Sequence, residues 1–115
     1  MAINVNETDI KMDSNGDGLC CPRCGENNLH HDAFDWYWRP AEDRPSNNIR
    51  IEYDTATMRP DAAKRNPSTR RDGMRLQFWC EHCHGGDQPE RPRFELLIYQ
   101  HKGTTYIVWD DKTIG

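Results

Sequence analysis

Cys21-Pro22-Arg23-Cys24-Gly25 and Cys80-Glu81-His82-Cys83-His84-Gly85 are two short cysteine knuckles. Each sets two thiols three positions apart, and glycine or histidine-glycine follows at once. A tight turn between such cysteines aims both sulfurs at one centre. The following Gly lets backbone amides turn toward the thiolates without a Cβ clash. Two such turns supply four soft ligands in a tetrahedron, the donor set and geometry of a structural Zn²⁺. One CxxC is shared with redox enzymes; two in one short chain point to metal. The spacing therefore predicts one structural zinc ion held by Cys21, Cys24, Cys80 and Cys83.

Outward from the knuckles the chain reads as β-strand. Phe34, Trp36 and Trp38 alternate with Ala33, Asp35 and Tyr37 in the stretch after the first knuckle, which predicts a strand with one aromatic side. Ile49, Ile51 and Tyr53 alternate with Arg50 and Glu52, a second short strand. Residues 74–79 run as a strand straight into Cys80. Residues 93–101 and 104–109 flank Lys102-Gly103, the pattern of a β-hairpin. The expected fold is mainly β, a zinc ribbon. Its antiparallel sheet has three to five strands, a C-terminal hairpin and the metal at one end. Two segments stand apart. Residues 1–19 are acidic, with a net charge of -3, and are expected to be a flexible lead-in to a zinc-ribbon domain over 20–115. Residues 54–73, with Pro60, Pro67 and Gly73, are expected to be a long basic loop inserted between the knuckles.

Composition agrees with a small, stapled domain. The chain has 115 residues, only 35% of them hydrophobic, so its core is small and metal is the natural staple. Its net charge of -4 argues against blanket electrostatic attachment to nucleic acid. The first residues lack the basic and apolar regions of a signal peptide, and Leu96-Leu97-Ile98 is far too short to span a bilayer. Five cysteines without an export signal suit a reducing cytoplasm.

Other residues invite chemistry and are better explained otherwise. Cys20 can replace Cys21 only as a CxxxC pair without the Pro-Arg turn, so Cys20 reads as a small buried residue or a free thiol. His82 and His84 can complete a Cys₃His site, but four well-spaced cysteines leave them at its rim. Asp13-Ser14-Asn15-Gly16-Asp17-Gly18 opens like an EF-hand loop, yet its twelfth position is Cys24 instead of Glu, and no helical pattern precedes it. No HxE accompanies the Pro-Cys-x-x-Cys, as a zinc deaminase requires. Two complete CxxC pairs close the coordination sphere that a catalytic zinc keeps open. No catalytic residue is assigned and no enzyme is expected. The aromatics at strand spacing are expected to be about two-thirds buried, with Tyr37 and one of Phe78 and Trp79 exposed. From Arg59 to Arg75, six positive residues (Arg59, Lys64, Arg65, Arg70, Arg71 and Arg75) face two negative ones, a net of +4 that leaves -8 for the rest. These six are the candidate contacts to a partner or to phosphates.

Cys21-Pro-Arg-Cys24-Gly, Leu29-His30-His31, Phe78-Trp79-Cys80-Glu81-His82-Cys83 and Gln100-His101-Lys102-Gly103-Thr104-Thr105 together resemble small zinc-ribbon proteins of bacteriophages and bacterial mobile elements. The resemblance covers about residues 20–109 and leaves unmatched the 55-residue interval between Cys24 and Cys80. It implies the ribbon fold, the four-cysteine site and a cytoplasmic setting in a bacterial host, and it brings no activity. The expected function is a non-enzymatic, structural-zinc binding module that contacts a host protein or nucleoprotein complex. By analogy this includes inhibition of host nucleic-acid-handling or CRISPR-type defence machinery. The alternatives are a nucleic-acid-binding ribbon serving transcription or DNA processing and, last, a metal-dependent hydrolase. No membrane partner is expected.

Overall fold

The computed structural model describes residues 7–41, 43–59, 65–83 and 93–110. They form one antiparallel sheet of seven strands: β1 (Glu7–Asp9), β2 (Leu29–Trp38), β3 (Asn47–Glu52), β4 (Thr55–Met58), β5 (Gly73–Cys80), β6 (Phe94–His101) and β7 (Thr104–Asp110). Their order across the sheet is β1-β7-β6-β5-β2-β3-β4. The centre is the expected one: the strand leaving the first knuckle pairs with the strand entering the second, and the C-terminal hairpin continues the sheet. Lys102 and Gly103 turn that hairpin with φ of 52° and 84°, the left-handed pair that a two-residue turn demands.

Seven strands exceed the three to five expected, and both additions lie at edges. Glu7–Asp9, in the stretch expected to be a flexible lead-in, pairs with β7, and the Tyr99 hydroxyl donates a hydrogen bond to Glu7. The interval expected to be a long loop also contains β4. It returns against β3 after a turn in which Tyr53 takes φ 56°, a conformation a non-glycine residue seldom adopts. Residues 60–64 of that interval lie outside the described residues, as do residues 1–6 of the acidic lead-in, whose Met12 and Leu19 form an antiparallel bridge.

The two faces of the sheet are unlike. Strand pairing puts Asp35, Arg75, Leu97, Glu95 and Tyr99 on one face, and residues 65–72 lie across it. Asn66 and Ser68 are buried there. Gly73 is needed because a Cβ at that position would sit 2.8 Å from the Pro67 ring. Phe34, Trp36, Met74, Leu76, Leu96, Ile98, Ile107 and Trp109 line the other face. Its cysteine end is covered: Cys21, Phe78, Cys80, Phe94, Leu96 and Trp109 form the core, with Ile10, Leu19 and Leu29 against them. Trp109 meets Phe78 and Phe94 edge to face at 5.5 and 5.1 Å. Away from the cysteine end the same face is open among the described residues, and Trp36, Ile51, Met58 and Ile107 are exposed.

This asymmetry overturns the expected aromatic burial. Tyr37, expected to be exposed, is fully buried, while Trp36 on the supposed core side is 39% exposed. Of the eight aromatics expected to be about two-thirds buried (Phe34, Trp36, Trp38, Phe78, Trp79, Tyr99, Tyr106 and Trp109), Phe78, Tyr99 and Trp109 are buried and the others are not. The cause is which face the loop covers, a choice that period-two alternation leaves undecided. Burial holds the Tyr37 phenol above its usual range, and the Asp35 carboxylate adds to the effect.

Candidate metal centre

Local backbone shapes each knuckle before any metal is considered. In the first, the Cys21 amide donates to the Glu26 carbonyl at 2.7 Å and the Gly25 amide to the Cys21 carbonyl at 2.9 Å. Gly25 stands at φ 82°, a conformation costly for any residue with a Cβ. The Arg23 amide donates to the Cys21 sulfur at 3.3 Å. The second knuckle is the continuation of β5, whose last residue is Cys80. It is tied to the entry of β2 by the Glu81 amide, which donates to the Asn28 carbonyl at 3.1 Å.

Pairing of Leu29 with Cys80 therefore brings the knuckles face to face. The four sulfurs of Cys21, Cys24, Cys80 and Cys83 lie within 4.8 Å of one another. The shortest approaches cross between knuckles: Cys21 to Cys83 and Cys24 to Cys80, each 3.6 Å. A tetrahedron with metal–sulfur bonds of ~2.3 Å has edges of roughly 3.8 Å, so the sulfurs fit a tetrahedral thiophilic ion. All are free thiols. The four cysteines chosen from the sequence are the four the fold assembles, and they can hold a metal ion.

The electrostatics favour a cation there. Burial pushes the Cys83 thiol far above the ordinary range, and the Cys21 and Cys24 sulfurs push it further. Burial also raises Cys80, against the amides of Cys83 and His82 that hydrogen-bond to it. Cys24 goes the other way: burial would raise it, but the Glu26 amide and the three neighbouring sulfurs bring it down. Cys24 is thus lowered while Cys80 and Cys83 are raised, and a dication among the sulfurs would favour their thiolate forms.

The residues around the centre steady it. Cys20 is buried outside the four-sulfur cluster, with its thiol facing the Gly18 carbonyl at 3.9 Å. His82 lies 2.6 Å from the Asn28 amide nitrogen and His30 2.7 Å from Glu81. The His30 ring stacks on Trp79 at 4.1 Å. These contacts stitch the second knuckle to β2. His84 lies outside the described residues. The Asn27 side chain donates to the Asp13 carboxylate, and with the Gly18, Asp17 and Asn15 amides it holds that carboxyl below its usual range. Its oxygens serve the turn that the sequence likened to a calcium loop.

The basic residues scatter. Arg75 is buried, with Nη1 3.3 Å from Glu95 and 3.2 Å from Asp110, and its Nε donates to the Arg65 carbonyl. Arg65 pairs with Glu95 at 2.8 Å, and Arg59 lies 3.9 Å from Asp35. Arg70 and Arg71 are exposed, and their amides donate to the Ser68 hydroxyl. Lys64 lies outside the described residues. Three of the six candidate contacts are thus spent on holding the loop to the sheet. Sequence reasoning missed the acids they meet, Asp35, Glu95 and Asp110. The signal was there: each carboxylate stands at a strand position beside apolar neighbours.

Among the described residues no helix is long and apolar enough to cross a membrane. Comparisons with family models, curated proteins and solved structures found no match, so the functional reading rests on the sulfur cluster and on the two faces of the sheet.

Proposed function

We propose that this chain is a non-enzymatic binding module in which Cys21, Cys24, Cys80 and Cys83 hold one structural zinc ion and the sheet contacts a protein. Zn²⁺ is the ion of choice for four thiolates in a tetrahedron, and with all four positions filled by protein it has none left for a substrate. Its role is then to join two chain segments that a small core cannot join alone.

The observation that carries protein binding over nucleic-acid binding is the open apolar half of the sheet, where Trp36, Ile51, Met58 and Ile107 stand 39–57% exposed. Contiguous apolar surface of this kind marks protein contacts, whereas polyanions need cations. Arg65 and Arg75, which the charge pattern offered to phosphates, face carboxylates instead. The resemblance to mobile-element ribbons directs the search toward host machinery that handles nucleic acid, including its defence complexes. Direct nucleic-acid binding keeps one supporting observation, the exposure of Arg70, Arg71 and Lys102.

Affinity capture of the zinc-loaded chain from a bacterial lysate, with and without nuclease, separates these readings. We expect a specific complex that survives nuclease and is lost with Trp36→Glu. Loss of every partner on nuclease treatment would reverse the choice.

A further inference from the structure

Among the described residues, none forms a second layer over the open face. Stable β-sheets bury a hydrophobic face against another element; here residues 65–72 cover the face that carries Tyr37, Leu97, Tyr99 and Val108 beside its ion pairs, and the opposite, apolar face keeps large exposed side chains. The uncovered area is large. Trp36 is 39%, Ile51 43%, Ile107 44% and Met58 57% exposed, and Phe34, Ile49, Met74, Leu76 and Ile98 are half-buried around them. At ~150–250 Å² for a large side chain this amounts to roughly 500 Å², near the upper end for the largest patch of a monomer.

Relief and charge say what fits. Two hollows flank the row that carries Trp36. One, of about 380 Å³, is lined by Phe34, Ile51, Tyr53 and Leu76, with His31 and Asp32 at its side; the other, of about 370 Å³, by Trp36, Met74, Ile98 and Thr105, with Asp72 at its side. From β4 to β7 the strand positions on this face carry no Asp, Glu, Lys or Arg, apart from Asp32 at the bulge between β2 and β5. A face whose only carboxylates among the described residues, Asp32 and Asp72, stand at its hollows carries little like-charge penalty against itself. Two of them would bury roughly 1,000 Å² of apolar area in all, about the size at which an interface becomes specific.

We propose that the occupant of this face is a second copy of the chain, packed sheet on sheet about a two-fold axis to make a two-layer sandwich. The proposal rests on the protein-contact reading above and names the partner of that surface. Aligned packing at ~10 Å between sheets sets the Trp36 ring of each copy against a hollow of the other. The interface is isologous, so the pair closes and does not polymerise. The polar face, the loop and the metal centre stay outside it.

Sedimentation velocity of the full-length zinc-loaded protein, from low micromolar to several hundred micromolar, tests this. The wild type should pass from monomer to dimer with concentration. Ile107→Glu and Met58→Glu each place a charge in the apolar interface and should weaken the dimer at least about tenfold. Thr57→Glu, on the other face of β4, should leave it unchanged. Zinc content and amide spectra show that each variant folds. Met58, on the edge strand, keeps the test alive if Ile107→Glu does not fold. A monomer throughout would overturn the proposal, and so would a dimer indifferent to Ile107→Glu, the result of edge-to-edge pairing through β4. If the monomer still captures a protein through Ile107 and Trp36, the contact reading stands without the dimer; if it captures none, both fall.

Discussion

Cys83 is the residue on which most depends. Its sulfur lies 3.6 Å from that of Cys21, across the gap between two segments far apart in sequence. A structural zinc contributes about 10–16 kcal/mol of apparent binding free energy, against about 5–15 kcal/mol for the stability of a whole domain. Cys83→Ser should therefore lose both the metal and the cooperative unfolding transition, while Cys20→Ser should keep both; elemental analysis with circular dichroism reads the two together. Acid should act in the same direction. Metal binding needs deprotonated thiols, so the bound form carries fewer protons than the free one, and affinity falls as pH falls. The raised Cys83 and Cys80 thiols take protons back readily once the ion leaves. A chromogenic chelator should record zinc release on acidification, reversible on return to neutral pH. At this scale the sequence was informative because CxxC spacing is local chemistry: the turn that aims two sulfurs is encoded within five residues. Cys20 was set aside for the same local reason, and its place outside the cluster agrees.

Strands β2, β5, β6 and β7 were legible because their alternation is strong and their turns are marked by Lys102-Gly103 and by the knuckles. β4 was not legible. Thr55–Met58 is exposed throughout, and its turn passes through Tyr53 at φ 56°, where no glycine or asparagine announces it. Residues 59–75 looked like a basic arm because six positive charges stood close in sequence, whereas their energetics depend on acids distant in the chain. Arg75, with Glu95 and Asp110 around it, is 4% exposed. Removing one member of such a group leaves buried charge uncompensated, so Arg75→Ala should cost about 3–5 kcal/mol, read as a drop in the urea midpoint. Gly73→Ala should cost about 1–3 kcal/mol by driving a methyl group against Pro67, and should release the loop from the sheet, which amide exchange at 66–71 would report. In contrast, Arg70→Ala should be nearly neutral for stability, because its side chain is exposed.

Among its described residues the molecule is a sheet clamped at one end by the cysteine cluster, covered by residues 65–72 on the face of its ion pairs, and open on its apolar face beyond the core. That arrangement could not be read from alternation alone, since a period of two says which residues share a face and leaves open which face is covered. It also bears on nucleic acid. With Arg65 and Arg75 held by carboxylates, replacing Arg65, Arg70 and Arg71 by Ala should leave duplex and single-strand binding weak near physiological salt and change its salt slope by less than one. Fluorescence anisotropy across a salt series checks this; a loss of two to three slope units, one per lost phosphate contact, would restore the basic arm. The central claim is that a metal ion held by four thiolates makes the sheet. Native mass spectrometry of the purified chain before and after exhaustive chelation, with amide exchange on the same samples, tests it most directly. The account predicts one zinc per chain, its loss on chelation, and collapse of protection across β2, β5, β6 and β7 together. A metal-free chain that keeps slow exchange in those four strands would contradict it.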